Sequence, residues 1–256
     1  MPQPNAHTGY ATLTHPTNNC AYLLKQEQQI ERVIANRPLA KVHFLNEFLT
    51  VSASHSATYA RSLMTQTLTK PIDQRIVLQG TWEKFKRLQR EFEEVSRAKL
   101  SYYNGTIEIL MPGRDHEFFS RIIGYLVMTF CFDRGVRCTP TGSMTQEREG
   151  ISSVQADESY CIGGAKPTPD LSIEVIFTSG DTSKLAKYRA LGVPEVWFWE
   201  DGVFALYHLH ENEYQRIQRS QTPGLEGLDL ALLSRCVLMA ETDELEAVAL
   251  FRRGSL

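Results

Sequence analysis

PDLSIEVIFTSGDTSKLAKYRALGVPEVWFWED, running from Pro169 to Asp201, decides how the chain is read. Leu171, Ile173, Val175 and Phe177 alternate with Asp170, Ser172 and Glu174. A period of two predicts a β-strand with one apolar face and one face carrying two carboxylates. A helix is predicted from about Thr182 to Leu191, because Lys184, Tyr188 and Leu191 recur at helical spacing on one stripe. Glu195 to Trp199 reads as a second apolar strand. The stretch therefore raises a question: why does so apolar a unit hold acids where a sheet should be packed?

Working outward, TWEKFKRLQREFEEV places Trp82, Phe85, Leu88 and Phe92 at helical spacing, with Thr81 as N-cap. KLSYYNGTIEILMP predicts an N-terminal hairpin turning at Asn104-Gly105, a pair suited to a type I′ turn. DHEFFSRIIGYLVMTFCFDRG predicts a helix capped by Asp115 and ended by Gly135. Short strands are expected near Val136–Thr139, Met144–Gln146 and Val154–Ile162. VFALYHLHENEYQRIQ reads as a further hairpin, and ALLSRCVLMA and TDELEAVALFRR as closing helices. The order of helices and strands predicts a mixed α/β (α+β) fold with a central mixed sheet flanked by helices.

Residues 1–63 differ from the rest. They hold four of the seven histidines but few charges, and they are rich in Thr, Asn and Ser without apolar periodicity. The expectation is a poorly structured extension over 1–63, with translation beginning at Met64, and a single domain over 64–256. The 256-residue chain has no apolar run near the roughly 20 residues that span a bilayer. Its five cysteines are scattered, odd in number and without CxxC spacing. That pattern favours reduced thiols and a cytoplasmic location over a disulfide framework or a zinc site. A net charge of −3 argues against a protein that coats nucleic acid non-specifically, though not against a nuclease with local basic patches.

Asp170 and Glu174 share a strand face, yet four residues at about 3.3 Å each put them roughly 13 Å apart. One ion with oxygen ligands at about 2–2.5 Å cannot be held directly by both. Glu174 therefore needs a carboxylate from a neighbouring strand, and Asp157 in SVQADESYCIGG is the candidate. Two such carboxylates make a hard oxygen site suited to Mg²⁺ or Mn²⁺. As ordinary strand acids they would simply face solvent. Lys184 lies on the sheet-facing helix stripe, where an ammonium needs a carboxylate partner; alternatively it snorkels at the stripe's edge. Lys187 lies further round and is expected to be solvated. His116 and Glu117 open the second helix and could reach the site; HEFFS is not HExxH, so a zinc protease is excluded. His208 and His210 read as a solvent-facing pair, and Cys138 and Cys161 as packing residues.

PDLSIEV followed by SKLAKYRALGVPEVW resembles the hallmark segment of the Uma-type family of proposed restriction endonucleases, within the PD-(D/E)XK nuclease superfamily. The resemblance extends to WEKF, to YNGTIEILMPGRDHEF and to ADESYCIG, covering about residues 75–240. It implies a restriction-endonuclease-like core. It implies that Asp157 and Glu174 bind metal, and that Lys184 replaces the lysine expected two residues after Glu174, where Ile176 stands. His116 or Glu117 matches the family's helix start, and Asp170 the PD dipeptide, although its distance from Glu174 sets it behind the metal ligands or facing DNA. The implied activity is Mg²⁺-dependent hydrolysis of DNA, with DNA as partner, a homodimer open to the chain and no membrane. The rival from another class is an inactive nuclease fold that binds DNA or a protein; a further rival is a hydrolase of some other phosphodiester.

Overall fold

The computed structural model describes residues 73–92, 97–177 and 183–255. The expected extension over 1–63 lies outside these described residues. Among them no helix is long and apolar enough to cross a membrane.

Among the described residues, eleven strands and five helices follow one another in a mixed α/β arrangement. The strands form two sheets, and the expected mixed sheet flanked by helices is the second of them. The first is antiparallel and five-stranded. It contains β1 (Gln74–Gln79), β2 (Lys99–Tyr103), β3 (Thr106–Met111), β5 (Thr145–Arg148) and β6 (Ser152–Gln155), in the order β1-β3-β2-β6-β5. The expected hairpin is β2–β3, and Asn104 and Gly105 both take the positive φ (47° and 76°) that its turn requires. Helix α1 (Trp82–Phe92) buries Phe85, Leu88 and Phe92, and the Thr81 hydroxyl accepts from Lys84 N at 3.3 Å, as a cap does.

The second sheet is mixed and six-stranded. It contains β4 (Cys138–Pro140), β7 (Glu158–Ile162), β8 (Leu171–Ile176), β9 (Glu195–Glu200), β10 (Val203–His210) and β11 (Glu213–Ile217). Its order is β11-β10-β9-β8-β7-β4, and only β8 and β9 run parallel. Their crossover is α3 (Ser183–Leu191). One face of this sheet packs on α2 (Arg114–Asp133), α4 (Leu230–Met239) and α5 (Glu244–Ser255). Leu171, Ile173 and Val175 of β8 and Trp197 and Trp199 of β9 point into that core. Ile176, Val196 and Phe198 point the other way, toward Tyr188 of α3.

The expected strand Val154–Ile162 is broken. β6 ends at Gln155 in the first sheet and β7 begins at Glu158 in the second. Ala156 and Asp157 are the residues at which the chain changes sheets. Helix α2 also departs from expectation: it starts one residue before Asp115, with Gly113 as an N-cap that no side chain caps. Gly113 N instead donates to Asp73 Oδ1 at 2.7 Å.

Candidate active site

The change of sheets at Asp157 brings its carboxylate to β8. Asp157 N donates to Ile173 O at 3.1 Å, and Asp157 Oδ2 accepts from Val175 N at 2.7 Å. Asp157 is thus tied to the residues on either side of Glu174. Both carboxylates are buried, at 5% and 3% exposure, so neither is a solvated surface acid.

Each is met by cations of the chain itself. Asp157 Oδ1 accepts from Lys99 Nζ of β2, and His116 Nε2 lies 2.9 Å from the same oxygen. Glu174 Oε2 accepts from Lys184 Nζ at 2.8 Å, and Glu174 Oε1 accepts from the Tyr188 hydroxyl. The stripe of Lys184 and Tyr188 therefore ends on Glu174. That answers the question for Glu174: its carboxylate meets a helix that supplies an ammonium and a phenol.

Burial disfavours charge on Asp157, but Lys99 and His116 outweigh it and hold the carboxyl well below the usual carboxylate range. Burial likewise opposes the charge of Lys184, while Glu174 and Asp157 push its pKa up on balance. Burial and Glu174 together push the Tyr188 phenol up. Burial works against His116 too, yet Asp157 and Asp73 raise it to about 9. Its Nδ1 lies 2.8 Å from Asp73 Oδ2. The two ring nitrogens of His116 thus each face one carboxylate, Nδ1 that of Asp73 and Nε2 that of Asp157.

The other expected residues lie apart. Glu117 lines the cleft in front of Asp157. Asp170 sits at the far end of β8. Its Oδ2 accepts from Ile162 N at 2.7 Å, and both its oxygens lie 2.7 Å from Lys166 Nζ. The group joins strand ends and is engaged away from Asp157 and Glu174. Lys187 is not solvated, as its spacing suggested, but 6% exposed. It donates to Glu108 Oε2 at 2.9 Å and to Ser101 Oγ at 2.7 Å. The missed partners are Lys99, Asp73 and Glu108. The signal for Lys187 was available: it stands three residues after Lys184, on the same side of the helix.

Among the described residues no group of three or more metal-ligating side chains gathers. The donor set is the two carboxylates. An ionised carboxylate offers about four lone-pair positions. Three of Asp157's are engaged and two of Glu174's, which leaves oxygen donors on both. Carboxylate oxygens of this kind are the donors that a hard divalent ion takes.

Residues 82–238 match the Uma2 family, described as "Putative restriction endonuclease". The match spans more than half of the chain. The chain belongs to the Uma2 family. His116, Asp157, Glu174 and Lys184 all fall within the family match, whereas Asp73 and Arg75 precede it. A solved structure from Anabaena variabilis, described as "a putative nuclease belonging to DUF820", is similar at 17% identity and a TM-score of 0.45. The similarity covers 61% of this chain and 98% of that one. No curated protein matches the chain.

Proposed function

We propose that this member of the Uma2 family is a metal-dependent endonuclease that hydrolyses DNA phosphodiester bonds. The observation that carries the reading is the joining of Asp157 to both neighbours of Glu174, with Lys184 Nζ 2.8 Å from Glu174 Oε2. Asp157 and Glu174 would hold Mg²⁺ or Mn²⁺, which when bound supplies positive charge against the scissile phosphate. The chain's own groups do the rest. Tyr188 fixes the Glu174 carboxylate, and His116, anchored by Asp73, fixes that of Asp157. Lys184 is half-buried and its pKa is pushed up by Glu174, so as an ammonium it can orient the attacking water or donate to a phosphate oxygen as charge builds there. Glu117 faces the approaching substrate from the start of α2.

Cleavage of supercoiled plasmid in Mg²⁺ or Mn²⁺ tests this. The wild type nicks, Glu174→Gln does not, and Lys184→Met is slower by about 10²–10³-fold. Cleavage by Glu174→Gln at the wild-type rate overturns the reading. One observation favours the alternative of a non-catalytic DNA-binding module: each carboxylate already carries a lysine counter-ion. That alternative expects DNA binding with no metal-dependent nicking.

A further inference from the structure

A cleft of about 1190 Å³ opens in front of Asp157, between the start of α2, β2, the end of α1 and the turn after β4. Its volume exceeds the roughly 300–1,000 Å³ of a small-molecule pocket. Lys86, Arg97, Lys99, Arg114 and Arg121 line it, against Glu117, Glu147 and Asp157. Two of those acids are already matched: Lys86 Nζ lies 3.0 Å from Glu147, and Lys99 pairs with Asp157. Arg97 and Arg114 have no ion-pair partner among the described residues. Arg121 is extended into the open, its side chain 80% exposed and no nearer than 3.8 Å to Glu158. Among the described lining residues three arginines therefore face Glu117, with Glu158 3.8 Å from Arg121, in a chain whose net charge is −3. A wall whose sign opposes that of the whole molecule is what concentrates a polyanion.

We infer that this cleft seats the DNA backbone, with Arg97, Arg114 and Arg121 contacting phosphates on the approach to Asp157. The inference rests on the proposed nuclease reading for its choice of DNA as occupant. Phe92 is the one aromatic among the described lining residues, so the wall lacks the interleaved rings on which bases stack. Arginines on a wall open to solvent can reach the phosphate backbone, which every sequence presents alike. Binding through those contacts is accordingly strongly salt-dependent.

The test is fluorescence anisotropy of a labelled mixed-sequence duplex with the full chain in EDTA, so that binding is read without cleavage, across a salt series. Arg97→Glu/Arg121→Glu weakens binding by about tenfold or more near 0.1 M salt and lowers the log–log salt slope by about 1.8, some 0.9 per lost phosphate contact. Arg216→Glu, the same charge change on the exposed edge strand β11, has a much smaller effect. Circular dichroism melting shows whether the double variant is folded; if it is not, Arg97→Gln/Arg121→Gln replaces it and lowers the slope by the same amount. The inference is overturned by a slope unchanged in the folded variant, by an equal loss in Arg216→Glu, by a wild type that does not bind the duplex, or by preference for RNA. A wild type that binds through these arginines but never nicks plasmid sinks the nuclease reading and leaves the cleft. A wild type that nicks, with salt dependence indifferent to the arginines, does the reverse.

Discussion

Lys99 holds Asp157 by an ion pair in the same place that a divalent ion would use. An ammonium and a metal ion compete for one carboxylate, and both lose by sharing it. Replacing Lys99 with Met leaves Asp157 buried with His116 and the more weakly acting Lys184 as charged partners, so a divalent ion gains where the lysine is lost. Lys99→Met is expected to be less stable than wild type without metal, and to bind Mg²⁺ or Ca²⁺ more tightly. Binding to the folded state alone raises stability by RT ln(1 + [L]/Kd), so a tenfold tighter site adds about 1.4 kcal/mol at saturating ion. Thermal melts with and without Ca²⁺ read this directly. A Lys99→Met melting gain no larger than that of wild type contradicts the competition. Lys99 was illegible in the sequence because it meets Asp157 from 58 residues away, across a junction between sheets. Glu174 and Lys184 were easier to relate: the strand put the acid on its polar face, the helix put the lysine on its sheet-facing stripe, and only 10 residues separate them.

At the scale of elements, local chemistry decided most boundaries. The hairpin β2–β3 was legible because Asn104-Gly105 accepts positive φ at little cost. The break between β6 and β7 was not, since β-favouring residues run through it and only the pairing with two different sheets divides them. The start of α2 was misplaced because Asp115 resembles a cap, whereas Asp73, 40 residues upstream, binds the Gly113 amide. Gly124 of α2 has a reason that sequence could not supply: a Cβ there would lie 2.8 Å from Glu158 Cδ, so the glycine leaves room for that carboxylate against the helix. By contrast α4 has an ordinary cap. Asp229 Oδ1 accepts from Ala231 N at 2.9 Å and Leu232 N at 3.0 Å. Asp229→Ala is expected to cost about 1 kcal/mol in urea unfolding, with plasmid cleavage intact. A loss of cleavage in proportion would mean that α4 reaches the site by a route not seen in its contacts.

At the scale of the whole molecule, α3 joins the two sheets. It packs against β2, β5 and β6 of the first and against β11 of the second. Its two lysines divide the work: Lys184 reaches Glu174 in the second sheet, and Lys187 reaches Glu108 in the first. Arg75 Nε, 2.9 Å from Glu108 Oε1, closes the far side of the second pair. Burial alone would raise the Glu108 pKa; Lys187 and Arg75 outweigh it and hold the carboxyl below its ordinary 4.5. The sign follows from that depression. The ionised Glu108 contributes stability in full above about 4.5, the unfolded value, and the contribution is lost as pH falls through the lower folded value. Lys187→Met removes the largest of the cationic supports and leaves a buried carboxylate with Arg75 and the weaker influence of Lys184. A loss of about 3 kcal/mol is expected near pH 7, the lower end for breaking a buried pair because Arg75 remains. Asp73 and Asp157 are depressed as well, so wild-type stability alone cannot isolate Glu108. The difference between wild type and Glu108→Gln can. Urea unfolding at successive pH values should show the two curves parallel above about pH 5 and converging as pH falls below about 4.5, because only the wild type still has that carboxylate to protonate. Curves that stay parallel down to pH 3 would mean that Glu108 is not held ionised by α3, and that the helix joins the sheets through its apolar contacts alone.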